Sequence, residues 1–395
     1  MSEVNSNNEQ WIAPALEDLA AQNLSRHALL FPEAGGVCEH DGRRVLNLST
    51  NDYLNLSRHP LVLARARQAL DTYGAGATAS RLITGTLPLH EELEQRLAIL
   101  KGYPAALLFG AGYLTNCGAL DALLGRGDAV FADRLSHASL LDAARMTGAR
   151  LHRFAHNDPD ALRKLLERHA APRRLIVTES VFSMDGDTAP LRAIGELATA
   201  HGALLLVDEA HATGVCGPRG SGEIAAQDAR AFVNLSMGTL SKALGGYGGF
   251  IACSEAMRTW LVNRARSFIY TTAPPPPVVG AALGALDALD LDPDMGARLL
   301  ARAHAFRARL QEAGLDTDAS CTHIIPVRAG ANDTALRWAA RLRERGIVAV
   351  AIRPPTVPQG QARLRLSLSL AHTDDDLDRA AHEIITAARA EGVGS

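Results

Sequence analysis

Seven short apolar or β-rich runs follow one another along the middle of the chain. They are centred near Leu107, Val130, His152, Ile176, Leu205, Leu235 and Phe250. The first five gaps span 23, 22, 24, 29 and 30 residues, each long enough for a helix such as those predicted over 160–168 and 191–201. Repeated strand–helix–strand spacing is typical of a mostly parallel sheet with helices on both faces. The last gap, of 15 residues and rich in glycine, predicts a tight return and an antiparallel final strand.

The segments before this repeated strand–helix pattern have other patterns. Residues 10–30 carry Leu16, Leu19 and Leu24 and predict a mostly helical arm. Asp41-Gly42 is a turn signal between two apolar segments, so we expect a short hairpin there. Residues 87–101 place four leucines on one helical face, and Gly102 follows them as a helix end.

A run of four prolines at 274–277 ends the repeated strand–helix pattern, and a smaller α+β unit is predicted beyond it. We expect helices over 278–289, 294–313 and 333–345, strands over 323–327, 347–352 and 363–368, and a last helix after Thr373. The predicted units are an N-terminal arm and hairpin (1–50), a large α/β domain (51–277) and a C-terminal small domain (278–395).

Composition excludes several classes of protein. The chain has 395 residues, 47% of them hydrophobic and 21% charged, which is ordinary for a globular protein and unlike a disordered one. A net charge of −3 provides no basic surface for nucleic acid, and no apolar run is long enough to span a membrane. The first residues lack the pattern of a secretory signal, and the five cysteines form no CxxC pair. We therefore expect a cytoplasmic protein with no metal site.

Lysine is rare in this chain. It occurs only at Lys101, Lys164 and Lys242, whereas arginine occurs 37 times. Arginine cannot lose its proton in a protein, but a lysine can act as a base or as an imine-forming amine. We expect Lys101 and Lys164, on polar helical stretches, to be solvated surface charges, and we single out Lys242 as a candidate for chemistry.

A fully apolar run at 203–207 predicts a central strand that ends at Asp208. Ligands of open α/β sheets bind at the carboxyl ends of the strands, so Asp208 and nearby His211 are candidate site residues. A helicase also carries Asp-Glu-Ala-His, but it needs a GxxxxGK[ST] loop upstream, which this chain lacks. The plain structural alternative is an acidic cap on the next helix.

Lys242 follows the next predicted strand, between Thr239 and a cluster of glycines at 245–249. Hydroxyls and free backbone N–H groups are natural phosphate donors. Lys242 lies 34 residues after Asp208, one strand–helix–strand unit further along, so both can face one crevice. A lysine, a phosphate cup and an opposed aspartate match the needs of pyridoxal phosphate, whose ring nitrogen a carboxylate keeps protonated.

Three other strand ends carry polar or small residues. The turn at Gly112-Tyr113 opens a helix predicted to begin near Thr115 and is a second candidate phosphate contact, although such turns are common. His137 lies just past a strand, where a histidine is more often structural than functional. Glu179 begins a third polar cluster.

Four segments resemble the α-oxoamine synthase family of pyridoxal-phosphate enzymes. They are Asp133-Arg-Leu-Ser-His-Ala-Ser, Thr178-Glu-Ser-Val-Phe-Ser-Met-Asp-Gly-Asp, Asp208-Glu-Ala-His-Ala-Thr-Gly and Ser241-Lys242. They occur in the family's order, and the resemblance runs from about Asn47 to His372. It implies the large fold of aspartate aminotransferase (fold type I), pyridoxal 5′-phosphate as cofactor, and a homodimer with the active site at its interface.

The resemblance also implies a role for each matching residue. Lys242 would bind the cofactor and later transfer a proton, Asp208 would pair with the ring nitrogen, and His137 would stack on the ring. The remaining cofactor contacts would be Gly112, Tyr113, Ser183, His211 and Thr239. The implied substrate contacts are Arg26, Asn51, Glu179, Thr356 and Arg365, with Arg365 for the amino-acid carboxylate and Arg26 for the acyl group.

The activity implied is the decarboxylative condensation of an amino acid with an acyl thioester. The segments 351–366 and 153–158 favour the family member that uses L-alanine and a pimeloyl thioester. A sister enzyme that uses glycine or serine, a transaminase and a non-catalytic subunit remain as alternatives, the last disfavoured by the presence of Lys242. Coenzyme A and acyl-carrier protein both stay open as the acyl carrier.

Overall fold

A computed structural model describes residues 6–25, 28, 30, 31, 33–40, 42–354 and 356–394. Its strands are β1 Val37–His40, β2 Arg43–Asn47, β3 Ala105–Phe109, β4 Ala129–Asp133, β5 Arg150–Phe154, β6 Arg174–Glu179, β7 Leu204–Asp208, β8 Leu235–Thr239, β9 Gly249–Cys253, β10 Ile324–Gly330, β11 Ile347–Val348, β12 Val350–Ile352 and β13 Ala362–Ser367.

Fourteen α-helices are found in the described part of the chain. They are α1 Ile12–Ala21, α2 Pro60–Tyr73, α3 Pro88–Lys101, α4 Gly112–Leu123, α5 Ala138–Met146, α6 Pro159–Arg168, α7 Leu191–Ala200, α8 Glu223–Ala226, α9 Glu255–Arg264, α10 Arg266–Ile269, α11 Pro276–Leu291, α12 Met295–Glu312, α13 Asn332–Glu344 and α14 Asp374–Ala390. No described helix has the length and apolar character needed to cross a bilayer.

The centre of the fold is a seven-stranded sheet in the order β3-β9-β8-β7-β6-β4-β5. Strands β4 to β8 pair in parallel, and β9 is antiparallel to both of its neighbours. Alternate residues of β4 point to different apolar clusters, Val130 toward α4 and α5 and Phe131 toward α6 and α7. Helices therefore cover both faces, and the α/β prediction with an antiparallel last strand is confirmed.

The start of α4 differs from the prediction by three residues. The helix begins at Gly112 and not near Thr115, because Ala111 is the last extended residue, with φ −159° and ψ 159°. Helix N-termini carry free N–H groups and a partial positive charge. The earlier start places these groups at the strand end, directly beside the crevice.

Two smaller sheets lie outside the central one. Strands β10, β13 and β12 form an antiparallel sheet, and the hairpin of β1 and β2 extends in parallel to β11. The strand predicted over 347–352 is therefore two strands in two sheets, because the chain changes partner between Val348 and Val350. The other elements predicted beyond 277 are present.

Helices α2 and α11, which lie more than 200 residues apart in the sequence, pack against each other. A Cβ on Gly280 would lie 2.5 Å from the Arg65 carbonyl oxygen, and one on Gly284 would lie 2.6 Å from the carbonyl oxygen of Leu61. The two backbones approach so closely that only glycine fits at these positions. The boundaries at residues 50 and 277 stay a prediction.

Lys101 contradicts its expected place at the surface. Its side chain is 1% exposed, and its ammonium pairs with the Glu209 carboxylate, which is 0% exposed. The prediction was wrong because α3 ends against the segment that follows β7, a contact the helical pattern cannot reveal. Lys164 is exposed, as predicted.

Candidate active site

One pocket lies at the carboxyl ends of β4, β6, β7 and β8, where parallel strands deliver their following residues to one edge. It brings together eight of the predicted site residues: Gly112, Tyr113, His137, Glu179, Asp208, His211, Thr239 and Lys242. Five further residues also line it: Asn116, Ser139, Ala210, Met237 and Ser241.

Asp208 is held from two sides at the base of this pocket. Its Oδ2 accepts a hydrogen bond of 2.9 Å from Asn116 Nδ2, and its Oδ1 accepts one of 2.9 Å from the backbone N–H of Ala210. The side chain is 5% exposed. Sequence reasoning missed Asn116, although its position one helical turn after Gly112 on α4 is the signal that would have found it.

His137 precedes α5 and is tied to its surroundings by its backbone. Its N–H donates to Glu179 Oε1 over 2.6 Å, and its Nδ1 lies 2.8 Å from Ser139 Oγ and accepts from the Ser139 N–H. Burial lowers the pKa of His137. The imidazole is thus neutral near pH 7 and oriented through Nδ1.

Lys242 reaches the pocket from a tight turn after β8. Gly245, at φ +64°, donates to the Lys242 carbonyl oxygen over 2.8 Å, and a Cβ on it would meet the Ser57 nitrogen at 2.3 Å. Burial lowers the pKa of Lys242, against the opposing effect of Asp208 and Glu179. Among the described residues no carboxylate lies within ion-pair distance of its Nζ. These conditions favour a free amine.

A small cradle faces the N-terminus of α4. A Cβ on Gly112 would lie 2.7 Å from Thr239 Cγ2, so a larger residue there would fill the space between them. Thr239 Oγ1 is buried and has no hydrogen-bond partner among the described residues. A buried hydroxyl without a partner is costly, so the cradle has the donors and the room for a bound anion.

Tyr53 connects the pocket to the small C-terminal sheet. Its hydroxyl lies 2.7 Å from His211 Nδ1 and 2.9 Å from Asn51 Oδ1, and Arg365 Nη2 approaches it at 3.5 Å. Arg365 also donates from Nε to the Ser183 carbonyl oxygen over 2.6 Å. Tyr53 therefore links the pocket to three predicted residues that do not line it, Asn51, Arg365 and, through Arg365, Ser183. The sequence analysis did not single out Tyr53.

Burial sets the charge state of the groups around Tyr53. It lowers the pKa of His211 well below its usual value, with Lys242 and Arg365 adding to the effect. It lowers the pKa of His323, whose ring packs 4.1 Å from that of Tyr53, to about 3. Both imidazoles are neutral across the physiological range, and Arg365 is the cation of this group.

Two predicted residues are not brought to the site by the described structure. Thr356 is exposed and does not line the pocket. Arg26 lies outside the described residues.

Comparisons with known proteins agree with this geometry. A family model described as Aminotransferase class I and II matches residues 43–384. The 8-amino-7-oxononanoate synthase of Geobacter sulfurreducens is 48% identical over 374 residues, which cover 93% of this chain and 95% of that protein. The chain therefore belongs to the aminotransferase class I and II family, within its 8-amino-7-oxononanoate synthases.

Solved structures show the same fold. Serine palmitoyltransferase from Sphingomonas wittichii aligns with a TM-score of 0.92 and 31% identity over 99% of this chain and 100% of that chain. The 8-amino-7-oxononanoate synthase of Francisella tularensis aligns with a TM-score of 0.76 and 29% identity over 88% of this chain and 99% of its own. The fold is that of the type I pyridoxal-phosphate enzymes, and the enzyme is a pyridoxal-phosphate-dependent acyltransferase.

The residues present fit this cofactor. The cradle at Gly112 and Thr239 offers a buried, unpartnered hydroxyl and helix N–H groups to a phosphate. Lys242 is the one lysine that lines the pocket, and its lowered pKa suits an amine that bonds to an aldehyde carbon. The Asp208 carboxylate accepts a hydrogen bond at each oxygen, and its negative charge suits a protonated nitrogen of the cofactor ring.

Proposed function

We propose that this chain joins L-alanine to a pimeloyl thioester and releases carbon dioxide and the free thiol, giving 8-amino-7-oxononanoate for biotin synthesis. The observation that carries the proposal is the buried Arg365 guanidinium, which has no carboxylate partner among the described residues. A buried cation without a counter-ion is costly, so it supports a site for the carboxylate of the amino acid. The names of the curated relatives support the choice of alanine and the pimeloyl group.

Pyridoxal phosphate, when bound, supplies an electron-withdrawing ring that takes up the electron pair left when Cα loses its proton. In this proposal Asp208 would hold the ring nitrogen protonated and His137 would stack on the ring. The other residues proposed to hold the cofactor are Gly112, Tyr113 and Thr239 at the phosphate, and Ser183 and His211 on the side of the ring oxygen.

Lys242 has two tasks in the proposal. Its Nζ would hold the cofactor covalently, and its free amine would take the proton from Cα of the amino acid. The lowered pKa supports the second task, because a general base works best with a pKa near the working pH. Arg365 holds the carboxylate until it departs as carbon dioxide.

The proposal includes four further substrate contacts: Glu179, Asn51, Thr356 and Arg26. Glu179 is proposed to contact the reacting groups, which its position in the pocket lining supports. Asn51 is proposed to lie near them, which its link to His211 through Tyr53 supports. Thr356 and Arg26 are carried only by their resemblance to family residues.

The proposal extends to assembly and location. A homodimer with the active site at the interface is proposed from the family, with coenzyme A and acyl-carrier protein as alternative acyl carriers. Five free cysteines fit the reducing cytoplasm. The segment 51–277 is proposed as the cofactor-binding domain, because it contains all the residues that line the pocket.

A sister enzyme, serine palmitoyltransferase, has one specific observation in its favour. It matches the backbone with the higher TM-score of 0.92. The 48% identity to an 8-amino-7-oxononanoate synthase favours alanine, since side chains and not the backbone trace select the substrate. Two less favoured candidates are a glycine-using sister enzyme (2-amino-3-ketobutyrate ligase or aminolevulinate synthase) and a transaminase.

The test is a comparison of amino acids and acyl donors. Alanine with pimeloyl-CoA should turn over roughly 10–200-fold faster than glycine, since one methyl group contributes only that much discrimination. The product mass should match loss of carbon dioxide. Faster turnover of glycine with acetyl-CoA or succinyl-CoA, or of serine with palmitoyl-CoA, would favour a sister enzyme, and release of a keto acid would favour a transaminase.

A further inference from the structure

His156 lies between two carboxylates outside the pocket. Its Nδ1 is 3.0 Å from Asp133 Oδ1, and its Nε2 is 2.8 Å from Asp187 Oδ2. The Asp133 side chain is 0% exposed and that of Asp187 is 13% exposed. The ring also packs edge-on against Phe182, with 4.4 Å between ring centroids.

Both ring nitrogens must donate to satisfy this arrangement. A neutral imidazole has one N–H, so it would leave one carboxylate facing a lone pair, whereas an imidazolium donates to both. The two carboxylates raise the pKa of His156 to about 10, although burial opposes them. The ring is therefore a cation at physiological pH.

The first carboxylate organises the turn that leads to His137. Asp133 Oδ1 also accepts from the Leu135 N–H over 2.8 Å, and Asp133 Oδ2 accepts from the Asn157 N–H over 2.9 Å. This end of β4 is thereby locked to the end of β5, which leads into His156.

The second carboxylate ties the turn that carries Ser183 to His156 and Asn157, and the backbone of Asp187 closes that turn. The Phe182 N–H donates to the Asp187 carbonyl oxygen over 3.0 Å, and the Gly186 N–H donates back to the Phe182 carbonyl oxygen over 2.9 Å. Asn157 Nδ2 adds a bond of 2.8 Å to Asp187 Oδ2. The Ser183 carbonyl oxygen, at the head of this turn, is the acceptor that orients the Arg365 guanidinium.

We propose that His156 is a positioning residue for substrate recognition: its imidazolium clamps the Ser183 turn and thereby aims Arg365 at the carboxylate of the amino acid. The inference rests on the proposed role of Arg365. The path is a chain of direct contacts, from His156 to Asp187, through the turn to Ser183, and across to Arg365.

The experiment separates recognition of the carboxylate from general integrity of the site. Holoenzyme is titrated with L-alanine and with ethylamine, which has the same amine but no carboxylate, and the change in cofactor absorbance gives the two dissociation constants. Their ratio measures what the carboxylate contributes. Arg365→Met tests the proposed function, His156→Gln tests the clamp, and His382→Gln makes the same substitution at an exposed histidine on α14.

We expect Arg365→Met to abolish the preference for alanine. His156→Gln should lower that preference about tenfold and leave ethylamine binding unchanged. A tenfold loss is what misalignment of one charge-assisted hydrogen bond between Arg365 and the carboxylate would cause. His382→Gln should leave both constants unchanged. If His156→Gln does not fold, Asp187→Asn keeps the histidine and its pair with Asp133 and should lower the preference in the same way.

Other results identify which idea fails. An unchanged preference in Arg365→Met overturns the proposed role of Arg365. A reduced preference in Arg365→Met combined with an unchanged one in His156→Gln overturns the clamp alone. Equal weakening of alanine and ethylamine in His156→Gln also overturns the clamp, because it indicates a general structural role.

Discussion

The Lys101 ammonium lies against the Glu209 carboxylate, directly behind the strand end that presents Asp208. Glu209 Oε1 also accepts from the Ile224 N–H over 2.9 Å, and its Oε2 accepts from Ser236 Oγ over 3.0 Å. A Cβ on Gly222 would lie 2.6 Å from Lys101 Nζ, so the chain packs tightly around this ion pair. Lys101 is therefore a buried partner of Glu209 and not a surface charge.

Removal of this lysine should destabilise the fold strongly. Lys101→Met leaves the Glu209 carboxylate buried without a cation, which costs about 3–5 kcal/mol. Urea unfolding of the variant measures the loss. The exposed Lys164→Met is the matched control and should change the free energy of unfolding by less than about 0.5 kcal/mol. Equal stability of the two variants would show that the pair contributes little.

Lys242 is expected to be the residue that carries the cofactor. Borohydride reduction of the holoenzyme followed by peptide mapping should place the label on Lys242 and on neither of the other lysines. Lys242→Ala should lose turnover and still bind pyridoxal phosphate through the cradle at Thr239 and Gly112. Label at Lys101 or Lys164 contradicts this assignment.

Asp208→Asn should slow removal of the Cα proton. The amide keeps the shape but cannot hold the ring nitrogen protonated. Removing one member of a buried ion pair costs about 3–5 kcal/mol, and the same increase in the activation free energy lowers the rate roughly 10²–10⁴-fold. The measurement is exchange of the alanine Cα proton with deuterated water, followed by NMR without an acyl donor. Asp71→Asn, at an exposed position on α2, is the control. Exchange at the wild-type rate in Asp208→Asn would mean that proton removal does not depend on this carboxylate.

The stability contributed by His156 should depend on pH in a defined direction. The pKa of His156 is raised to about 10 in the folded protein, from about 6.5 in an unfolded chain. Its contribution is fully present below about pH 6.5 and is lost as the pH rises through about 10. The difference in free energy of unfolding between wild type and His156→Gln should therefore shrink from neutral pH to about pH 10. A difference that grows over this range would contradict an imidazolium at this position.

The predictions from sequence succeeded where the physics is local. Strand and helix periods and the glycine after α3 are properties of short segments, so those elements were predictable. The rule that parallel strands deliver their carboxyl ends to one edge was enough to bring Asp208 and Lys242 together. Two predictions were wrong: the start of α4 near Thr115 and a single strand over 347–352. Each depends on which distant segment the residues pack against.

The sequence by itself determined the α/β class, the strand ends that carry the chemistry and, through its resemblance to a family, the cofactor. Only the tertiary structure decided which charges are buried and what they face. Lys101 meets Glu209, Arg365 meets Ser183, and Asn116 meets Asp208, at sequence separations of 108, 182 and 92 residues. The local pattern around each residue is the same whether such a partner is present or absent, because burial and hydrogen bonding arise only when distant segments pack.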